Sequence, residues 1–265
     1  MVNTDPPDIL KEIIAAKQNR VAKQQKKMPL PELKEMIKTS DYPLNFAGSL
    51  MGDSIRIIAE IKNASPSKGD FKLTYKPNEL ADIYAMNGAA AVSVLTNEDH
   101  FHGSIQDLAE VHSVLKHHKI PILRKEFIFN AYQIYEARAY GADAVLLITA
   151  MLSADLLKEF VKLSNSLWLQ PLVEVHDELE LDIALDSGAE MIGINNRNLH
   201  TFNTTLETTK RIATLVPDDK ILISESGIKS RSDVLELKDI GVNAVLIGES
   251  LVISDDPGKK LRELI

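Results

Sequence analysis

The sequence has no cysteine, which excludes disulfide bonds and zinc sites built from thiolates. It also has no apolar run long enough to cross a bilayer or to serve as a signal peptide. We therefore expect a cytoplasmic protein that does not bind a membrane. The net charge of −8 leaves no excess of lysine and arginine to neutralise a nucleic-acid backbone. No nucleic-acid partner is expected, whereas a small phosphorylated ligand needs only local positive charge.

The length and composition fit one large α/β domain. The chain has 265 residues, and a single α/β barrel typically takes about 250. Hydrophobic residues make up 45% and charged residues 26% of the chain, as in ordinary globular proteins. We expect residues 1–265 to form a single domain.

Residues 8–27 precede the repeating part of the sequence and predict an amphipathic helix. Its opposite face is cationic, and we interpret that face as solvent-exposed. Pro29 and Pro31 break the helix, and Pro31 suits the first turn of a second, short helix. We expect about residues 1–50 to be a helical extension over the barrel mouth and about residues 55–265 to form the barrel. The apolar positions at helical spacing are Ile9, Leu10, Ile13, Ile14 and Val21.

From residue 56 the sequence alternates short, β-rich apolar runs with amphipathic helical segments. The runs are RIIAEIK, AAVSVLT, IPILRKE, DAVLLIT, LQPLVEV, EMIGINN, KILISES and NAVLIGE. Repeated strand, helix and strand units imply parallel strands, and eight of them favour a closed barrel over an open, doubly wound sheet. We therefore predict an α/β fold, a (β/α)8 TIM barrel with an N-terminal helical extension.

Ionisable residues stand at the ends of several of these runs. In a barrel of this kind, ligand chemistry lies at the C-terminal ends of the strands. Glu60 and Lys62 are two residues apart, so both side chains point to the same face of a strand. A salt-bridge network would account for any one of these residues. Together with Lys125 and Glu174 they are suited to proton transfer, with ammonium groups as acids and carboxylates as bases.

Glycine-containing turns follow the last two runs. SESGI and IGES supply Ser226, Gly227, Gly248 and backbone amides at the place where many barrels bind a phosphate. Either motif alone is a weak signal, because a glycine in a strand-to-helix turn often has only a conformational role. Their pairing at the seventh and eighth strands favours a phosphate site.

Several segments together resemble the indole-3-glycerol phosphate synthase family, in order through the barrel and over nearly the whole chain. They are IIAEIKNASPSKG, LRKEF, YEARAYGADAVLLI, PLVEVHDE, IGINNRNL, SESGI and IGESL. The resemblance implies a carbon–carbon lyase of tryptophan biosynthesis. Such an enzyme closes the ring of 1-(2-carboxyphenylamino)-1-deoxyribulose 5-phosphate, with loss of carbon dioxide and water, to give indole-3-glycerol phosphate. It implies no cofactor and no metal.

The resemblance also implies catalytic roles. Lys125 would be the general acid at the substrate ketone, and Glu174 would stabilise the developing positive charge. The acid and base of the dehydration would be divided among Lys62, Glu60 and Glu174. The full catalytic set is Lys125, Glu174, Lys62, Glu60, Asn195 and Ser226.

Further residues would bind the substrate by the same resemblance. Asn195 and Ser65 would lie near its carboxylate and hydroxyl groups, and Arg197 and Glu225 would shape the rim. Phe101 and Phe127 would flank the aromatic ring, although ordinary core packing would explain Phe127 nearly as well. The phosphate would be held by Lys62, Ser226, Gly227, Gly248 and the amide of Glu249.

Some positions depart from the family pattern. Glu126 stands where the family often has aspartate, and we expect it to be a longer partner beside Lys125. His100 replaces an aromatic residue before Phe101, and His100 and His102 then have the spacing of metal ligands. We interpret both as surface loop histidines.

Two other functions are compatible with the same rim. In a sugar isomerase or a Schiff-base aldolase, Lys125 could attack a ketone covalently. A non-catalytic barrel could bind a phosphorylated metabolite, since a fold alone does not establish chemistry; the complete set of lysines and glutamates speaks against it. We expect a monomer that makes at most transient contact with other enzymes of the pathway.

Overall fold

The computed structural model describes residues 8–65, 69–71 and 76–265. The chain begins with three helices, α1 (Asp8–Lys27), α2 (Leu30–Thr39) and α3 (Phe46–Ser49). The helix predicted over residues 8–27 and the short helix after Pro29 are both present. In the described ranges no helix is long and apolar enough to cross a membrane.

Eight parallel strands then close into a barrel, in which the first strand pairs with both the second and the eighth. This arrangement confirms the predicted (β/α)8 fold, and each of the eight apolar runs contains one strand. The strands are β1 (Arg56–Ile61), β2 (Ala91–Leu95), β3 (Ile122–Lys125), β4 (Ala144–Ile148), β5 (Gln170–Val175), β6 (Met191–Asn195), β7 (Ile221–Glu225) and β8 (Ala244–Ile247).

Helices follow the strands and form the outer layer. A short antiparallel pair, Ala64–Ser65 with Gly69–Asp70, follows β1, and a 3-10 turn, Thr149–Met151, follows β4. Polar side chains start several helices by accepting a backbone N–H, as Ser104, Asn130 and Asp177 do. The helices are α4 (Pro77–Met86), α5 (Glu98–Phe101), α6 (Ile105–His118), α7 (Ala131–Ala139), α8 (Ala154–Ser166), α9 (Glu178–Asp186), α10 (Glu207–Ala213), α11 (Arg231–Asp239), α12 (Glu249–Val252) and α13 (Pro257–Leu264).

The N-terminal extension contacts both ends of the barrel. At the mouth, Leu10 and Ile13 of α1 are buried. At the opposite end, the amide of Leu44 donates to Oδ1 of Asp143, which precedes β4, at 2.6 Å. The amide of Ala47 donates to Oε1 of Gln170, the first residue of β5, at 3.0 Å. The extension therefore lies along the side of the barrel, and α1 is the part that covers the mouth.

Lys17 departs from the predicted solvent-exposed cationic face of α1. Its Nζ lies 2.6 Å from Oε2 of Glu126, which follows β3 and whose side chain is fully buried. Lys23, Lys26 and Lys27 are exposed, as expected. The physical reason for the exception is charge: a buried carboxylate requires a partner, and Lys17 supplies it.

A second buried ion pair fixes β3 against the helix layer. Nη2 of Arg124 donates to Oε2 of Glu136 on α7 at 2.7 Å, and Nη1 donates to the carbonyl of Gln133 at 2.8 Å. Both charged side chains are almost completely buried. Because successive side chains on a strand point to opposite faces, this contact directs the next residue, Lys125, into the barrel.

We expect Arg124→Met to lower the free energy of unfolding by about 3–5 kcal/mol, because it leaves the carboxylate of Glu136 buried without a partner. Urea denaturation followed by circular dichroism measures the change. The double variant Arg124→Met/Glu136→Leu should recover a large part of the loss. Glu35→Gln, which removes the exposed pair with Lys38, is the matched control and should change stability by less than about 1 kcal/mol. Equal effects of Arg124→Met and Glu35→Gln would contradict the assignment.

Candidate active site

The ends of β1, β3 and β7 bring a cluster of charges together inside the barrel mouth. Nζ of Lys125 lies 2.7 Å from Oε2 of Glu225 and 3.4 Å from Oε2 of Glu60. Nζ of Lys62 lies 2.8 Å from Oε1 of Glu60. The structure thus joins Glu60, Lys62 and Lys125 with Glu225, which the sequence analysis placed at the rim. All four side chains are largely buried.

The buried charged side chains shift one another's pKa values. Burial alone would lower the pKa of Lys125, but the carboxylates of Glu225, Glu60 and Glu174 outweigh it and raise that pKa. Burial would raise the pKa of Glu60, and Lys62 and Lys125 reverse the direction and lower it. For Glu225, burial and the neighbouring carboxylates raise the pKa against the attraction of Lys125. Lys125 is therefore an ammonium group.

Two glycines leave room for the carboxylates of this cluster. A β-carbon at Gly248, which follows β8, would overlap Oε1 of Glu60. A β-carbon at Gly193, in β6, would overlap Oε1 of Glu225. Gly248 was predicted only as a phosphate-binding residue, and Gly193 was not among the predicted site residues. In the structure, the lack of a side chain at both positions is what admits a buried carboxylate.

Glu174, near the end of β5, lies against neutral and cationic donors. Oε1 of Glu174 is 3.3 Å from Nε2 of His176, a charge contact without the geometry of a hydrogen bond, and Asn195 lies close enough to lower the pKa of Glu174. Burial alone would raise the pKa of Glu174, but His176, Lys125 and Asn195 together lower it. Oδ1 of Asn195 accepts the amide of Arg197 at 3.0 Å, so Asn195 connects Glu174 to the rim. The predicted residues Glu174, Asn195 and Arg197 therefore lie together.

His176 contacts Glu174, although the sequence analysis did not identify it. Its Nδ1 lies 2.9 Å from Oε2 of Glu180 in the first turn of α9. The sequence carried a signal for it, because His176 stands two residues after Glu174, the same spacing that placed Glu60 and Lys62 on one face.

One side of the cavity in front of these groups is apolar. The rings of Phe101 and Phe127 have centroids 6.2 Å apart and planes tilted by 37°, and both line the cavity. Ile9 and Ile13 of α1 line it too. The amphipathic pattern predicted an apolar face for α1, but it could not show that this face forms a wall of the cavity. The other apolar lining residues include Leu10, Leu95, Leu146 and Ile148.

An adjoining cavity lies at the ends of β7 and β8. Ser226 and Gly227 both have left-handed backbone, with φ of 67° and 85°. Such a conformation costs a serine about 1–2 kcal/mol, so the surrounding contacts must hold it. Nδ2 of Asn196 does so by donating to the carbonyl of Ser226 at 3.1 Å. The residues assigned to the phosphate, Lys62, Ser226, Gly227, Gly248 and Glu249, all line this cavity, and so do Lys229 and Lys260.

The prediction that Glu126 lies beside Lys125 is wrong. Oε2 of Glu126 accepts from Lys17 at 2.6 Å and from the hydroxyl of Thr96 at 2.9 Å, on the side of β3 away from Lys125. The reason is the alternation of side chains along an extended chain. For Ser65 the structure describes the backbone, and its side chain lies outside the described part.

Comparisons with known proteins identify one family. A family model described as indole-3-glycerol phosphate synthase matches residues 10–264. A protein of that name from Dehalococcoides mccartyi (strain CBDB1) is 46% identical over 258 residues, which cover 97% of this chain and 100% of the relative. A protein of the same name from Alkaliphilus metalliredigens is 45% identical over 257 residues, which cover 97% of each chain.

Solved structures show similarity of fold alone. A thiamine phosphate pyrophosphorylase from Pyrococcus furiosus has a TM-score of 0.62 at 15% identity, over 83% of this chain and 96% of the other. A 3-hexulose-6-phosphate synthase from Salmonella typhimurium has a TM-score of 0.60 at 11% identity, over 79% and 96%.

The family model extends over nearly the whole barrel and most of α1, and the relatives align from end to end. The chain belongs to the indole-3-glycerol phosphate synthase family.

Proposed function

We propose that this site closes the ring of 1-(2-carboxyphenylamino)-1-deoxyribulose 5-phosphate to give indole-3-glycerol phosphate, carbon dioxide and water. The observation that carries the proposal is the buried ammonium group of Lys125, which lies between the carboxylates of Glu225 and Glu60 at the mouth of the barrel. The family relationship supports the same reaction, which makes the protein a carbon–carbon lyase of tryptophan biosynthesis.

The shape of the site fits the three parts of this substrate. The apolar wall with Phe101 and Phe127 suits the aromatic ring, and the turn at Ser226 and Gly227 suits the phosphate. The two cavities adjoin at a set of shared lining residues, which lie between these two ends. The linear sugar chain would therefore lie along the shared residues. Its ketone carbon then lies near Lys125. The shared residues are Glu60, Lys62, Lys125, Arg197 and Ser226.

Lys125 would act on the ketone as general acid. A ring carbon of the substrate attacks the carbonyl carbon, the carbonyl electron pair moves to the oxygen, and Lys125 gives that oxygen a proton. The raised pKa of Lys125 keeps the group charged until then. The alkoxide that develops is itself strongly basic, so such an ammonium can still protonate it. The ionised carboxylate of Glu174 would stabilise the positive charge that spreads over the ring and its nitrogen.

The later steps restore the aromatic ring. Loss of carbon dioxide returns the electron pair of the broken bond to the ring. The hydroxyl formed in the first step then leaves as water after protonation, and a base removes a proton from the neighbouring carbon. Lys62 is suited to the acid role, and Glu60 and Glu174 to the base role, because all three line the cavity and the lowered pKa values of the two glutamates keep them ionised.

The charge of Lys125 also bears on the Schiff-base alternative. A lysine that attacks a ketone must be a free amine, and active sites that use one lower its pKa. Here the surrounding carboxylates raise the pKa of Lys125. The raised pKa of Lys125 favours a role as proton donor over a role as covalent nucleophile.

Lys125→Ala should reduce kcat by roughly 100- to 10,000-fold, because it removes the proton donor at the ketone. The assay follows indole fluorescence after the carboxyphenylamino-deoxyribulose phosphate is added, with a chelator present. Lys38→Ala, at an exposed lysine of α2, is the control and should behave like the wild type. A kcat for Lys125→Ala within tenfold of wild type would contradict the role of Lys125, and wild-type protein without turnover would contradict the proposed reaction.

Borohydride added during turnover should leave the protein mass unchanged, because a general acid forms no imine with the substrate. Intact-protein mass spectrometry makes the measurement, and an aldolase known to use a lysine imine serves as the positive control. A stable adduct that maps to Lys125 would revive the covalent alternative.

A further inference from the structure

The contacts of Glu174 continue away from the substrate cavity as a chain of three ionisable side chains. Glu174 lines the cavity, and its Oε1 lies 3.3 Å from Nε2 of His176. Nδ1 of the same ring lies 2.9 Å from Oε2 of Glu180. The imidazole is mostly buried between the two carboxylates.

The local fold fixes this ring in place. β5 ends at Val175, and α9 begins two residues after His176, with Asp177 as its N-cap. Oε2 of Glu180, in the first turn of α9, accepts the backbone amide of His176 at 2.8 Å as well as the ring nitrogen. One carboxylate therefore sets both the backbone and the ring orientation of His176.

This arrangement determines where the ring protons lie. Glu180 accepts from Nδ1, so Nδ1 carries a hydrogen. A neutral ring would then turn the lone pair of Nε2 toward the carboxylate of Glu174, which is repulsive. A protonated ring places a positive N–H there instead. Burial would lower the pKa of His176, but the hydrogen bond with Glu180 and the charges of Glu174 and Glu180 outweigh burial and raise that pKa.

None of the other groups described around Glu174 supplies a positive charge in the way that the protonated ring of His176 does. Asn195 on β6 is a neutral donor, and Glu225 on β7 is an acid that repels Glu174. Lys125 on β3 attracts Glu174, but its Nζ is in direct contact with Glu225 and Glu60. The 3-10 turn Thr149–Met151, packed against β5 and α9, has no titratable side chain.

We propose that His176 is a positioning residue, an imidazolium that holds Glu174 ionised and oriented toward the substrate while Glu180 holds His176. The proposal rests on the proposed function, because it assigns Glu174 a role as a carboxylate. His176 itself acts through Glu174 and does not touch the substrate.

The first test compares pH profiles of His176→Gln and wild type. Glutamine can still donate a hydrogen bond but carries no charge, so the pKa of Glu174 should rise. We expect the acid limb of the kcat profile to move up by about one pH unit, so that kcat on that limb is roughly tenfold lower than that of the wild type at the same pH. KM should change by less than about threefold, and kcat should recover toward the wild-type value at higher pH. Glu180→Gln should move the limb in the same direction by a smaller amount.

The matched control is His118→Gln, which removes a histidine–carboxylate contact far from Glu174 in the sequence, that of Nε2 of His118 at the end of α6 with Oδ1 of Asp82 at 2.8 Å. Its profile should equal that of the wild type. A His176→Gln protein that folds, has a lower Tm and keeps the wild-type acid limb would overturn the proposal, since a merely structural histidine behaves in that way.

A second measurement does not depend on turnover or on the stability of His176→Gln. In the His118→Gln protein, six of the seven histidines of the chain remain. Nitrogen-15 NMR of labelled histidine should show an imidazolium ring at pH 8, and this signal should change in Glu180→Gln. Six neutral rings at pH 8 would overturn the proposal. Absence of synthase turnover by the wild type would instead overturn the proposed function and leave the NMR result in place.

Discussion

The ion pair between Lys125 and Glu225, with a separation of 2.7 Å inside the barrel, is the interaction on which the rest of the mouth depends. A lysine buried alone would lose its proton, and a glutamate buried alone would gain one. Glu60 adds a second carboxylate to Lys125, and Gly193 and Gly248 leave the space that the acids occupy. These residues therefore form one unit, in which each side chain sets the charge of the others.

The fold could be predicted from the sequence because its signal, a β-rich run followed by a helical segment, occurs eight times. Several contacts in the site depend instead on the direction of one side chain, which no repeat in the sequence indicates. Glu126 was placed beside Lys125 as its neighbour in sequence, although the alternation that correctly joined Glu60 to Lys62 sends Glu126 to the other face. The same alternation would have identified His176 behind Glu174. The pairing of Lys17 with Glu126 had no local signal, because 109 residues separate them.

The two ends of the barrel are specialised in different ways. At the mouth, charged side chains are gathered beside an apolar wall to which α1 contributes. At the opposite end, backbone amides of the extension donate to the side chains of Asp143 and Gln170, and Phe46 of the extension is fully buried. This division matches the general rule that barrel enzymes carry their chemistry at the C-terminal ends of the strands and their stability at the other end.

The extension is synthesised before the barrel, and its partners are synthesised much later. Lys17 is 109 residues before its partner Glu126 in the sequence. Leu44 is 99 residues before Asp143, and Ala47 is 123 residues before Gln170. At about 5–20 residues per second, roughly 5 to 25 seconds of translation separate each pair. Throughout that time the apolar face of α1 has no barrel to cover. The helix that completes the substrate cavity therefore leaves the ribosome well before the barrel residue Glu126 that its Lys17 contacts.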